Sequence, residues 1–237
     1  LLNLHDNNNV SSVVTVNAAA NTTAAFTLDA SAEDDGTITY TGGGGIDTVT
    51  GTETTATGDT ISAGAGADVI TGAGGAFDDN ASTVTGGSGT NDTVTFSSGG
   101  TPDLTSFTNV EKFVLSTATS DGNITLANGN ATYTSGLDYQ TVTIDGSALT
   151  TGVLTAVANA EVDGKVIIIG GGAADLITAD ASANFGSSIT AGGGNDTISI
   201  VGTSALTSDD TISGGAGTDT LTITTDSTTL ADVDFTN

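Results

Sequence analysis

Aliphatic residues recur along this chain, most of them flanked by threonine or serine and followed by a polar, glycine-rich stretch. In the first half they are Ile38, Val49, Ile61, Ile70, Val84 and Val94; in the second, Val166 or Ile168, Ile177, Ile189, Ile198, Ile212 and Leu221. Their spacing of 9 to 14 residues is too long for one face of a helix and too regular for random coil. Threonine on both sides of an aliphatic residue suits a short strand with one side chain pointing inward. Short strands joined by glycine-rich turns at this interval predict a narrow coil of parallel strands. Between the two series, "VEKFVLS" (110–116), "NITLAN" (123–128) and "QTVTID" (140–145) also read as strands. They either continue the coil or form a small β-sandwich; the coil is preferred because no charge run marks a boundary.

The pattern is duplicated. "GGGGIDTVT" (42–50) aligns with "GGGAADLIT" (170–178), "AGAGADVIT" (63–71) with "AGGGNDTIS" (191–199), and "ASAEDDG" (30–36) with "ANAEVDG" (158–164), all at an offset of 128 residues. "FTN" recurs at 107–109 and 235–237, and one inserted residue, Asn91, interrupts the alignment. The expected architecture is all-β: a right-handed parallel β-roll or β-solenoid made of two tandem copies. It divides into a strand-rich lead-in (1–34), a first roll (35–96), a connecting section (97–162), a second roll (163–224) and the start of a further unit (225–237). The chain is expected to be a section of a longer protein.

Composition narrows the possibilities. With 4% aromatic residues a thick globular core is not expected, and without cysteine no disulfide or thiolate chemistry is available. Two basic residues, Lys112 and Lys165, against 28 acidic ones give a net charge of −26. That excludes nucleic acid as a partner and argues against a bare anionic membrane. Such a surface either simply stays solvated or gathers cations, and the scarcity of basic residues favours cations. No stretch approaches the 18 apolar residues of a transmembrane helix.

The glycine-rich segments resemble the RTX nonapeptide G-G-x-G-x-D-x-U-x, U being a large aliphatic residue, a calcium-binding β-helix signature. Gly42, Gly43, Gly44, Gly45 and Asp47 fit every fixed position of the first segment, and Gly214, Gly215, Ala216, Gly217 and Asp219 fit the last. Gly64, Ala65, Gly66 and Asp68 follow Ala63, as Gly192, Gly193, Gly194 and Asp196 follow Ala191; only the first glycine is replaced. Gly170, Gly171, Gly172 and Asp175 have Ala173 at the fourth position, and Gly86, Gly87, Gly89 and Asp92 accommodate Asn91. Glycine lets carbonyl oxygens turn into a loop, and the aspartate adds carboxylate oxygen. Hard oxygen donors without His or Cys point to Ca²⁺. Rungs stack about 4.8 Å apart, so bare aspartates on one edge would repel by about 0.9 kcal/mol per neighbouring pair even at the dielectric of water.

The matching loops alternate with longer, irregular ones at 51–59, 72–82, 179–187 and 200–210. Calcium is therefore expected on one edge of each roll, about two ions between three loops per copy and about four in the chain. Asp59, Asp79 and Asp210, on the other edge, are expected to be solvated loop residues.

Catalysis finds few parts. His5 is the only histidine and is expected in an exposed turn, so zinc sites and catalytic triads are incomplete. No pair of carboxylates is singled out for glycoside hydrolysis, and the glycine runs lack the lysine and helix of a phosphate loop. Tyr40, Tyr133, Tyr139 and the seven Phe are expected in strands or the core. "NTT" (21–23) and "NAS" (80–82) reflect the abundance of Asn and Thr.

No enzyme is expected. The resemblance implies an extracellular, calcium-dependent protein exported by a type I system, and the tandem repeat suits a section of a bacterial surface layer or surface fibre. Its expected partners are copies of itself, with cell-surface polysaccharide a further candidate. The alternatives are a spacer in a calcium-dependent adhesin and the calcium module of a secreted hydrolase or toxin.

Overall fold

The computed structural model describes residues 1–5, 13–33, 36–52, 58–72, 77, 82–130, 141–161, 164–180, 186–202, 206, 208–225 and 234–236. They fall into two compact units, Leu1–Val114 and Leu115–Asn237. Among the described residues nearly all regular structure is strand, and every strand pairing is parallel. No helix among the described residues is long and apolar enough to cross a membrane.

The first unit contains β1 (Leu2–His5), β2 (Val13–Asn17), β3 (Thr27–Ala32), β4 (Thr37–Thr41), β5 (Thr48–Thr50), β6 (Thr60–Gly64), β7 (Val69–Gly72), β8 (Thr83–Gly87), β9 (Thr93–Phe96), β10 (Phe107–Thr108) and β11 (Lys112–Leu115). Odd strands form one sheet in sequence order and even strands form another. Each strand thus pairs with the one two places on, as a parallel β-solenoid requires. The second unit repeats this with β12 (Gly122–Thr125), β13 (Thr141–Asp145), β14 (Leu154–Ala158), β15 (Lys165–Ile169), β16 (Leu176–Asp180), β17 (Ser188–Gly193), β18 (Thr197–Gly202), β19 (Thr211–Ala216), β20 (Thr220–Thr225) and β21 (Asp234–Thr236). Here β12-β14-β16-β18-β20 and β13-β15-β17-β19-β21 are the two sheet orders. In the connecting section β10 pairs in parallel with β8, β13 with β15 and β14 with β16.

The core is one side chain deep per strand. Leu28, Val49, Ile70 and Val94 stand in register in one sheet, and Tyr40, Ile61 and Val84 in the other. All are at most 1% exposed. Each buried aliphatic side chain contributes about 1.5–3 kcal/mol, and the repetition of that small term replaces a thick core. Ile144, Ile168, Ile189 and Ile212 form the corresponding file in the second unit. Leu221 is only half-buried. Phe77, Phe96, Phe107 and Phe113 fill the first unit beyond its glycine loops, with ring centroids 5.5 to 6.4 Å apart. His5 is exposed as expected, but it ends strand β1 instead of lying in a turn. Tyr133 and Tyr139 lie outside the described residues.

Candidate metal centre

In both units a glycine-rich segment leads from one sheet to the other and ends in an aspartate directly ahead of a strand. Asp47, Asp68 and Asp92 precede β5, β7 and β9; Asp175, Asp196 and Asp219 precede β16, β18 and β20. Because those strands pair in parallel, three aspartates stack in each unit. All but the half-buried Asp219 are at most 2% exposed.

The stack is a hydrogen-bond ladder. Asp47 Oδ1 accepts the Phe26 amide at 2.8 Å, Asp68 Oδ1 the Asp47 amide at 2.7 Å, and Asp92 Oδ1 the Asp68 amide at 2.8 Å. The Asp92 amide donates in turn to Glu111 Oε2 at 2.8 Å. In the second unit Asp175 takes the Leu154 amide, Asp196 the Asp175 amide and Asp219 the Asp196 amide, at 2.8, 2.8 and 3.0 Å. A buried amide needs an acceptor, and the carboxylate of the next rung supplies a charge-assisted one. Glu111 was not foreseen. Its signal was present: Glu111-Lys112-Phe113 sets an acid two residues before an inward apolar residue, as Asp47-Thr48-Val49 does.

Burial raises the pKa of Asp68, Asp92, Glu111, Asp175 and Asp196 above the ordinary carboxylate range. Neighbouring charge adds to it: Asp92 and Asp47 act on Asp68, Glu111 on Asp92, and Asp175 and Asp219 on Asp196. Negative charge is thus concentrated where water solvates it poorly.

The second carboxylate oxygens divide into two sets. Asp47 Oδ2 accepts the Tyr40 hydroxyl at 2.9 Å and the Gly43 amide at 3.2 Å, and Asp175 Oδ2 accepts the Gly171 amide at 2.7 Å. Asp68, Asp92, Asp196 and Asp219 each bury an Oδ2 that has no hydrogen-bond partner. A buried acceptor left bare costs about 1–3 kcal/mol, more when charged. A hard divalent cation removes that cost, so these atoms fit calcium. No three His, Cys, Asp or Glu side chains converge on one point among the described residues. Carbonyl oxygens of the glycine loops would have to complete such a site.

The glycines are there because the loops nest. A methyl on Gly64 would run into the Gly43 carbonyl, one on Gly87 into that of Gly64, one on Gly192 into that of Gly171, and one on Gly215 into that of Gly192. Gly89 and Gly217 abut the carbonyls of Gly66 and Gly194, and Gly44, Gly45 and Gly172 abut Thr22, Ala24 and Thr150. Gly42, Gly86, Gly170 and Gly214 lie against the carboxylate of their own loop. The Ala65 amide donates to Gly43, and Ala216 accepts from Gly194. Gly193 alone among the resemblance's glycines has nothing nearer than ordinary contact distance.

The other edge differs from expectation. Asp59 and Asp210 are 3% and 1% exposed, not solvated. Asp59 accepts the amides of Ile38 and Thr52, and its own amide donates to Ser82 Oγ; Asp210 accepts the Ser187 amide. Ser187 and Asp210 stand 128 residues after Asp59 and Ser82, so acid and hydroxyl have exchanged places. These aspartates cap buried amides. Asp79 lies outside the described residues.

Against known families, residues 53–76, 187–199 and 204–222 match a model described as RTX calcium-binding nonapeptide repeat (4 copies). The chain carries RTX repeats. The matched residues include the loops of Asp68, Asp196 and Asp219; those of Asp47, Asp92 and Asp175 fall outside them. No curated protein and no solved structure matches the chain. RTX repeats bind calcium and usually occur in secreted proteins.

Proposed function

We propose that this RTX chain is a structural section of a bacterial surface layer or surface fibre, without catalytic activity, that folds outside the cell when calcium enters its stacked loops. The observation that carries the reading is the set of four buried carboxylate oxygens without partners, set among carbonyl-lined glycine loops. Without a cation the folded state holds bare, crowded charge, and the net charge of −26 disfavours compaction. Calcium binding is then folding free energy. Asp68, Asp92, Asp196 and Asp219 would supply carboxylate oxygen to the ion, and the ladder amides hold each carboxylate in place through its other oxygen. Three loops per stack leave two gaps, which sets four ions as the upper number for the chain.

The surface-layer reading draws on the tandem sequence, the thin repetitive core and the single sign of charge. Copies of the chain are its first partner, with cell-surface polysaccharide the candidate anchor. Circular dichroism during calcium titration tests the folding step, with chelator reversal and magnesium as control. A cooperative gain of β signal that magnesium does not reproduce is expected; a fold indifferent to calcium and chelator overturns the reading. Electron microscopy of the calcium-loaded protein tests assembly: ordered sheets or fibres are expected, and isolated monomers refute it.

A further inference from the structure

We infer that in each three-loop stack only the gap between the second and third loops takes calcium, the first loop being closed on itself. This rests on the calcium reading above and narrows it. The distinction is made by one glycine, the second of each loop. In the first loops it is Gly43 or Gly171, whose amide turns onto its own loop's aspartate and occupies Oδ2. In the second and third loops the same place is held by Gly64, Gly87, Gly192 and Gly215. The register pairs Gly64 with Gly87 and Gly192 with Gly215. All four are left-handed, with φ of 112°, 122°, 109° and 93°. No residue of 42–45 or 170–172 has positive φ. The left-handed turn takes the amide away from the aspartate, and Oδ2 is then bare in all four loops.

In the first unit the closure is reinforced by the Tyr40 hydroxyl on Asp47. The residue 128 places later is Ile168, so the second unit closes its first loop through Gly171 alone. A cation seeking Asp47 or Asp175 must break these bonds and strand a half-buried amide. Between the second and third loops nothing has to be displaced, and each wall brings a free carboxylate oxygen. Asp68 and Asp92 would serve one ion, Asp196 and Asp219 the other.

The test counts bound calcium on the whole chain, stripped with chelator, equilibrated by dialysis at saturating calcium and assayed for metal. Two ions per chain are expected. Asp92→Asn and Asp219→Asn should each halve the count, and Asp47→Asn should leave it at two. Any other non-zero count for the unsubstituted chain, or loss of an ion on Asp47→Asn, overturns the inference and leaves the calcium reading standing. No bound calcium overturns both. The count on the unsubstituted chain decides the matter even where a variant fails to fold.

Discussion

Replacing Asp59 with alanine tests whether the edge without RTX loops is structural. Asp59 Oδ1 accepts the Ile38 amide at 3.0 Å and the Thr52 hydroxyl at 3.1 Å, and Oδ2 accepts the Thr52 amide at 2.9 Å. Ile38 and Thr52 are each 1% exposed, so truncation strands two amides that water does not reach in the folded protein. At about 1–3 kcal/mol for each stranded donor the loss is about 2–6 kcal/mol, a large share of the ~5–15 kcal/mol that holds a typical domain. With a urea m-value of about 2–3 kcal/mol per molar, the midpoint should fall by about 0.7–3 M in saturating calcium. Asp59→Asn keeps one acceptor oxygen and should lose about half as much. A solvated loop aspartate predicts a change within about 0.5 kcal/mol, near 0.2 M in midpoint. A shift that small for Asp59→Ala would refute the capping role.

Other perturbations address the loops, the core and the charge. Gly64→Ala places a methyl against the Gly43 carbonyl at a φ of 112°. Strain of about 1–3 kcal/mol should raise the calcium midpoint of the circular dichroism titration by about 5- to 150-fold. Ile70→Ala removes a fully buried side chain between Val49 and Val94 and should cost about 2–5 kcal/mol by urea denaturation. The pH dependence has a definite sign. Because burial raises Asp68, Asp92, Glu111, Asp175 and Asp196, the calcium-free fold holds protons more tightly than the unfolded chain. Their contribution is fully present below the unfolded carboxylate pKa and is lost as pH rises through the raised folded values. In chelator, β signal should therefore be stronger near pH 4 than at pH 7, and calcium should abolish the difference. Acid unfolding of the calcium-free chain would contradict it.

Much of the coil was legible in the spacing. Ile38, Val49, Ile61, Ile70, Val84, Val94, Ile177, Ile189, Ile198 and Ile212 all point into the core, because a lone aliphatic residue between threonines has one apolar face to bury. The aspartates of the loops were legible through their glycines. Asp59 and Asp210 were not, since no glycine run precedes either. Asp59-Thr60-Ile61 and Asp210-Thr211-Ile212 repeat the acid-x-aliphatic order of Asp47-Thr48-Val49. The rule belongs to strand entry, where a carboxylate caps an amide of the neighbouring rung, and holds on both edges whether or not glycine is present. What separates Gly43 from Gly64 was hidden for a different reason: both are glycine, and only the backbone around them shows which has turned over.

The ladder bridges 21 residues from Asp47 to Asp68, 24 from Asp68 to Asp92 and 23 from Asp196 to Asp219, with the same kind of bond each time. The pitch of the coil is therefore set by the bonds and not by the number of residues in a turn. Such a protein behaves like a measuring rod whose graduations stay fixed while the cord between them varies in length. Residues added within one turn would change its girth and leave the spacing of its neighbours intact, which suits such a coil to displaying a foreign peptide along a regular surface.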